Sequence, residues 1–336
     1  QKLKIYCAEV YCVPQVIFSA CELGVFDLLL QSQKPLKAGE VARELGTSED
    51  GMERLLDVLV GIEILEVEHT EGTAHYSSTD VSNLYLAKAS PKSLHDMIIY
   101  NSQTIYPLWN NLVDAVREGK NQNEKTFGLS SKDIFSAIYR SEEEMLKFMG
   151  LMNSTWAIDG HDIVTAFNLS GFKSMVDLGG CSGALARELA REYPSSTVTV
   201  LDLPKVVQTA KQHFTESGCT VEFQEGDFFE GDLPPADLYI LARIIHDWKK
   251  DKCEKLLKKI HSSTSPGGGV LIVEAMLFES RRGPITAQLY SLNMLVQTEG
   301  KEHPPSHYTG MLTQAGFKDV QVCRTGKSYD AVLAIK

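Results

Sequence analysis

Apolar residues recur every three to four positions through the first half of the chain and gather into short solid runs in the second. Residues 16–30, with Val16, Ile17, Phe18, Leu23, Val25, Phe26 and Leu28 to Leu30, carry helical spacing. Residues 37–46 predict a short helix stopped by Gly46. Thr47, Ser48, Glu49 and Asp50 then supply cap chemistry for a helix running through Leu59. Residues 64–68 and 74–77 flank a Thr-Glu-Gly turn and predict a hairpin. Helix, helix, hairpin is the order of a winged helix. Further helices are expected from 93 to about 117, over 130–149 and roughly over 153–166. The run Ser141-Glu142-Glu143-Glu144 reads as a solvated helix start.

From residue 173 the rhythm changes. Runs at 174–178, 197–202, 221–225, 236–241, 270–275, 319–323 and 329–334 predict strands, with helical segments between the first six. Residues 324–328 join the last two without a helix, so an antiparallel hairpin should close a mostly parallel sheet. The expected division is a helical domain over 1–165 and an α/β domain over 166–336.

Charge narrows the partners. The net charge is −11, and the second helix of the winged-helix order carries Glu49, Asp50, Glu53 and Asp57 against Arg54. Phosphate would be repelled there, so no nucleic acid is expected. A dimerisation role fits better, because the apolar N-terminal helices exceed what one catalytic domain could cover. The seven cysteines are scattered without CxxC or Cys/His spacing, which points to reduced thiols in the cytoplasm rather than disulfides or zinc. No run approaches the ~20 apolar residues of a membrane span, and the N-terminus carries no signal-peptide pattern.

The most informative segment is Val176-Asp177-Leu178-Gly179-Gly180-Cys181-Ser182-Gly183, followed by Leu201-Asp202-Leu203. An apolar strand enters a glycine-rich turn and a helix, and the next strand ends on a carboxylate. That is the outline of a nucleoside-binding βαβ unit. The glycine spacing matches the dinucleotide pattern only in part. Asp177, Asp202 and Asp227 stand at or just past three successive strand ends. Acids repel a pyrophosphate and attract a sulfonium with an α-amino group, which favours S-adenosylmethionine over NAD. Asp202 would take the ribose hydroxyls. Asp227, with Phe228 and Phe229 beside it, would hold the adenine, and Gly179 would pass the methionine portion. The alternative for each acid is a helix cap or turn residue. Cys181 fits the turn if it keeps a negative φ.

The fourth strand runs into Arg243-Ile244-Ile245-His246-Asp247-Trp248, which puts His246 at the ligand edge of the sheet. The fifth strand ends in Glu274, whose obvious partner is His246. A phenol has a pKa near ~10 and a histidine near ~6.5, so unaided proton transfer is uphill by about 5 kcal/mol. A carboxylate behind the imidazole raises its basicity and fixes its tautomer. Such a pair suffices for a phenol without a metal. A histidine capping a helix start remains an equal reading of these residues.

Residues 20–29, 137–142, 225–229, 241–248, 290–302 and 329–334 together resemble the small-molecule O-methyltransferase family of plants and animals, and the likeness covers essentially the whole chain. The resemblance implies a Rossmann-like class I methyltransferase domain behind an N-terminal dimerisation domain, hence a homodimer. It implies a phenolic indole, N-acetylserotonin, as acceptor and melatonin as product. It assigns His246 as general base flanked by Glu274 and Glu302, and places Asp247, Asn293 and Gln297 in the acceptor pocket. Tyr139, Trp156 and Arg243 match cofactor-contacting positions. Another phenolic acceptor, a catalytically silent relative that binds S-adenosylmethionine, and an NAD-dependent dehydrogenase are the rival readings.

Overall fold

Gly24 breaks what the apolar pattern presents as one helix. In the computed structural model, which describes residues 11–128, 135, 138–215, 218 and 220–336, Gly24 takes φ +82° and returns its N–H to Ala20 and Cys21. Helix α1 (Cys12–Leu23) therefore ends there and α2 (Val25–Ser32) begins. Expectations that fall on Cys7, Cys219, Ala137 and the start of the 130–149 helix lie outside the described residues.

The chain divides into two compact units, Gln1–Tyr106 and Pro107–Lys336. In the first, α3 (Ala38–Leu45) stops at Gly46, and α4 (Glu49–Gly61) starts on Ser48, whose hydroxyl accepts the Gly51 N–H at 3.3 Å. Strands β1 (Leu65–Thr70) and β2 (Thr73–Ser78) form the expected antiparallel hairpin. Leu36 bridges to Tyr76, whose hydroxyl donates to Asp57 at 2.7 Å. Phe26, Val41, Met52, Leu56 and Leu59 fill the core, while Leu23, Leu30, Val81 and Leu84 stay exposed.

The helix expected over 93–117 is instead broken. Helix α5 (Asp80–Tyr85) is followed by α6 (His95–Tyr100), a π segment at Asn101–Ile105, α7 (Tyr106–Trp109) and α8 (Leu112–Glu118). Pro107 has no amide to offer the Gln103 carbonyl, so the ladder widens before it. Beyond α9 (Asn123–Phe127), the reverse correction applies. The two helices expected over 130–149 and 153–166 are continuous through the anticipated gap, as α10 (Glu142–Val164), capped by the Ser141 hydroxyl. Met145, Met149, Met152 and Trp156 of this helix share one core with Met175, Val198 and Leu238 of the sheet. That burial is why the compact units part at 106/107 and not at residue 165.

Among the described residues the larger sheet has seven strands in the order β5-β4-β3-β6-β7-β9-β8. Strands β3 (Ser174–Leu178), β4 (Thr197–Asp202), β5 (Glu222–Glu225), β6 (Ala236–Ala242) and β7 (Thr264–Glu274) are parallel. Strand β9 (Asp330–Ile335) runs antiparallel to both β7 and β8 (Lys318–Cys323), which is the expected closing hairpin. Between the strands lie α11 (Ala184–Glu192), α12 (Pro204–His213), α13 (Lys250–Ser263), α14 (Ile285–Gln297) and α15 (Pro305–Ala315), whereas β5 passes to β6 through turns without the expected helix. Strand β3 pairs with β4 on one side and β6 on the other, so the order reverses there and a crevice opens beyond their carboxyl ends. Among the described residues no single helix is long and apolar enough to cross a membrane.

Candidate active site

The crevice begins at the glycine turn. Gly179 takes φ +70° after β3, and a Cβ there would lie 2.7 Å from Ile244 Cδ1 and 3.3 Å from the Phe228 ring. Glycine is what lets Ile244 and Phe228 close against the turn. Cys181 has φ +56°, contrary to the negative φ expected for a non-glycine residue. Its N–H donates to Asp202 Oδ2 at 2.9 Å, which holds the residue in this conformation. Asp202 Oδ1 accepts the Leu203 N–H at 2.7 Å. A carboxylate has about four lone-pair sites, so Asp202 retains acceptor capacity for two hydroxyls.

These acids form a negative floor. Both oxygens of Asp177 are buried without a hydrogen bond among the described residues. Burial first, then the Asp202 charge, pushes the Asp177 pKa up to about 7. Burial lifts Asp202 to about 6 against the two amide bonds that lower it, with Asp227 adding to the rise. Asp227 Oδ1 accepts the Phe229 N–H at 2.8 Å, and the Phe228 and Phe229 rings sit 4.7 Å apart. An acidic floor beside an aromatic wall fits a cationic nucleoside and opposes a pyrophosphate.

The second cluster lies across the crevice, past β6. Arg243 turns the chain with φ +59°, and a 3₁₀ turn spans Ile245–Asp247. His246 Nδ1 lies 2.7 Å from Glu302 Oε1 and 3.5 Å from Glu274 Oε2, while Nε2 lies 3.7 Å from Asp247 Oδ1. All four side chains are buried. The sequence pointed to Glu274 as the direct partner of the imidazole. Instead Glu274 Oε1 accepts the backbone N–H of Ile245 at 2.8 Å and of His246 at 3.3 Å, holding the turn, and Glu302 makes the close ring contact.

Burial works against a charged imidazole here. The charges of Glu274, Glu302 and Asp247, with the Glu302 hydrogen bond, outweigh it and push the His246 pKa up to about 10. Burial in turn raises Glu274, against the pull of the imidazolium. With a carboxylate oxygen against Nδ1, the neutral imidazole would keep its proton on Nδ1 and leave Nε2, beside Asp247, as its basic atom. The ligand atoms of His246, Glu274 and Glu302 lie within 4.8 Å of one another.

Glu302 is delivered by a close backbone crossing. A Cβ on Gly300 would lie 1.8 Å from the His246 carbonyl oxygen, so glycine alone lets this loop pass. The loop leaves α14, whose Asn293 Oδ1 accepts the Trp109 Nε1–H at 2.8 Å and whose buried Gln297 carbonyl accepts from Asn123 Nδ2 at 2.7 Å. Trp156 lies 5.3 Å from the Tyr329 ring, and Arg243 Nη1 donates to the Tyr329 hydroxyl at 2.6 Å. Tyr139, Phe135, Trp248, Phe229 and Phe228 form a chain of neighbouring rings back to the Asp227 turn. Tyr290, Tyr308, Tyr329 and Gly300 were not singled out from the sequence as site residues. The sole signal for Tyr290, Gly300 and Tyr329 was their place in stretches that carried the resemblance.

A reversed-order α/β sheet with a glycine turn over acids, and a carboxylate-backed imidazole at the neighbouring strand ends, defines a methyltransferase of the nucleoside-dependent kind. The O-methyltransferase domain family matches residues 109–318, and the O-methyltransferase dimerisation domain matches residues 6–88. The chain is 56% identical to the acetylserotonin O-methyltransferase of Gallus gallus, over 97% of this chain and 94% of that one. It is 44% identical to a probable bifunctional dTTP/UTP pyrophosphatase/methyltransferase protein of Homo sapiens, over 98% of this chain and 52% of that protein. The crystal structure of human N-acetylserotonin methyltransferase in complex with SAM superposes with a TM-score of 0.97 at 50% identity, covering 99% of this chain and 96% of that one. The chain belongs to the O-methyltransferase family.

Proposed function

We propose that the protein transfers a methyl group from S-adenosylmethionine to the phenolic hydroxyl of N-acetylserotonin, giving melatonin, with His246 as general base. The observation that carries the chemistry is the 2.7 Å contact between His246 Nδ1 and Glu302 Oε1 in a buried cluster. The acceptor is supported by the names of relatives that match this chain over nearly its whole length. S-adenosylmethionine, when bound, supplies a methyl group on a positively charged sulfur. The residues that would hold it are Asp202 at the ribose, Asp227, Phe228 and Phe229 at the adenine, Gly179 at the methionine portion, and Tyr139, Trp156 and Arg243 around it.

The protein's own part is to make the acceptor oxygen nucleophilic. A phenol ionises near ~10, and the carboxylates bring His246 to about the same value. Proton transfer from the hydroxyl to Nε2 is then close to thermoneutral instead of uphill by about 5 kcal/mol. Glu302 keeps the ring from turning and stabilises the imidazolium that forms. Asp247, Asn293 and Gln297 would orient the indole and its acetamide. The N-terminal unit, with Leu23, Leu30, Val81 and Leu84 exposed, would pair with a second copy. The described cysteines are all free, consistent with the cytoplasm.

The test is turnover. Incubation with S-adenosylmethionine and a panel of phenols, N-acetylserotonin among them, should give melatonin as the fastest-forming product. A faster phenol would change the acceptor. No product from any phenol would favour the silent-relative reading, which the assembled His246, Glu274 and Glu302 oppose.

A further inference from the structure

Two side-chain amides on α14 carry hydrogen-bonding capacity that the chain does not use. Tyr290, Asn293 and Gln297 share one face of that helix. The Tyr290 ring lies 6.1 Å from that of Tyr329, whose hydroxyl accepts from Arg243 at 2.6 Å, and the loop after Gln297 carries Glu302 to His246. The face is thereby turned to the side of the crevice that holds the base. Among the described residues Asn293 Nδ2 makes no hydrogen bond, and neither does the Gln297 side-chain amide, although Gln297 is only 7% exposed. Neither amide is sealed into the core. Inward-turned amides without partners mark a place for a ligand.

Helix α14 is not free to turn. The Gln122 N–H donates to the Val296 carbonyl at 3.0 Å, and Asn123 Nδ2 donates to the Gln297 carbonyl at 2.7 Å. One turn earlier, Trp109 packs against the cluster of Leu108, Ala115 and Val296 and donates its Nε1–H to Asn293 Oδ1 at 2.8 Å. An indole nitrogen has a hydrogen to give and no lone pair to receive one. Asn293 can meet it only through its oxygen, which leaves the NH2 end for the crevice. Turned over, the amide would set two donors against each other.

We propose that Trp109 sets the polarity of the acceptor pocket: by holding Asn293 Oδ1 it leaves Nδ2 as a donor, which takes the carbonyl of an acylated amine and disfavours a protonated one. This rests on the proposed acceptor. An ammonium group carries donors alone, so beside Nδ2 it finds no partner. Gln297, with no fixed partner, serves either polarity, and the discrimination falls to Asn293. Trp109 is a positioning residue, acting through Asn293.

The test compares N-acetylserotonin with serotonin, the same phenol on a free amine, at saturating S-adenosylmethionine. The unaltered protein should favour N-acetylserotonin in kcat/KM. Trp109→Phe keeps an aromatic ring and removes the N–H, and that preference should fall roughly three- to tenfold, the worth of one hydrogen bond. Asn293→Asp still accepts from Trp109 and offers an anionic oxygen to the crevice, so the preference should move towards serotonin by about tenfold or more. A purely structural role would slow both acceptors alike and leave their ratio where it was. A ratio unchanged by Trp109→Phe, with N-acetylserotonin still methylated, overturns the proposal and leaves the proposed function standing. Should that variant not fold, an unmoved ratio in Asn293→Asp overturns it equally. Methylation of neither phenol by the unaltered protein overturns both readings.

Discussion

Two acidic clusters face each other across one crevice, and they differ in what neutralises them. In the Asp177–Asp202–Asp227 floor, burial and then the neighbouring Asp202 charge raise the Asp177 pKa, and burial with the Asp227 charge raises that of Asp202. The Glu274–Glu302–Asp247 group surrounds an imidazole that takes up their charge. Asp177 and Asp202 are as buried as the second cluster, while Asp227 is exposed at the rim, so among the buried acids the partner makes the difference. The first cluster is complemented when a cationic, hydroxyl-bearing ligand arrives. The second is complemented within the chain, which under the proposed function sets it for proton transfer. A carboxylate at a strand end can thus be a binding group or a catalytic support, according to whether the fold brings a base to it.

The largest expected effects separate the two clusters. His246→Gln should lower kcat by about 10²–10⁴, and Glu302→Gln by a similar order, while stabilisation by S-adenosylhomocysteine in a thermal-shift assay stays intact. Asp202→Asn should do the opposite, raising the Kd for the cofactor about tenfold or more with kcat at saturation little changed. If both substitutions moved the same parameter, the division between floor and base would be wrong.

A smaller effect tests how the second cluster is built. Gly300→Ala places a methyl group 1.8 Å from the His246 carbonyl oxygen, so the loop must shift and carry Glu302 away. A loss of about 1–3 kcal/mol in stability is expected, read by denaturant unfolding, with kcat falling more than KM rises. An undisturbed kcat would show that Glu302 reaches the imidazole without this crossing.

The mildest and broadest effect is that of pH. Asp177 at about 7, Asp202 at about 6 and His246 at about 10 all titrate above their unfolded values of ~3.9 and ~6.5. A raised pKa contributes stability that is complete below the unfolded value and is lost as pH climbs through the folded one. The aspartates therefore withdraw support between about pH 4 and 7, and His246 between about 6.5 and 10. The melting temperature should fall as pH rises from about 6 to 9, while kcat/KM climbs as neutral imidazole accumulates. Parallel trends in the two measurements would contradict a base that is protonated at rest.

The strands and their hairpin were legible because apolar runs at strand length repeat between caps and glycines. His246, Asp202 and Asp227 were legible for a related reason: an open α/β sheet puts its ligands at one edge, so strand ends mark candidates. Glu302 came from resemblance alone. It lies in a loop 56 residues beyond His246, and no local pattern announces that the two will meet. The continuity of α10 and its membership in the sheet's core were hidden as well, since the pattern read as two helices over 130–149 and 153–166 and methionines on one face do not say what they pack against.

By itself the sequence determined most of the alternation of strand and helix, the glycine turn after the first strand of the large sheet, and the supply of acids and one histidine at one sheet edge. Those follow from local forces: side-chain periodicity, backbone freedom at glycine and capping. Tertiary structure decided which carboxylate touches the imidazole, that Glu274 holds a backbone turn instead, and that Cys181 takes positive φ against Asp202. Each depends on segments far apart in the chain arriving within a hydrogen bond of one another, a distance that packing sets and residue order does not.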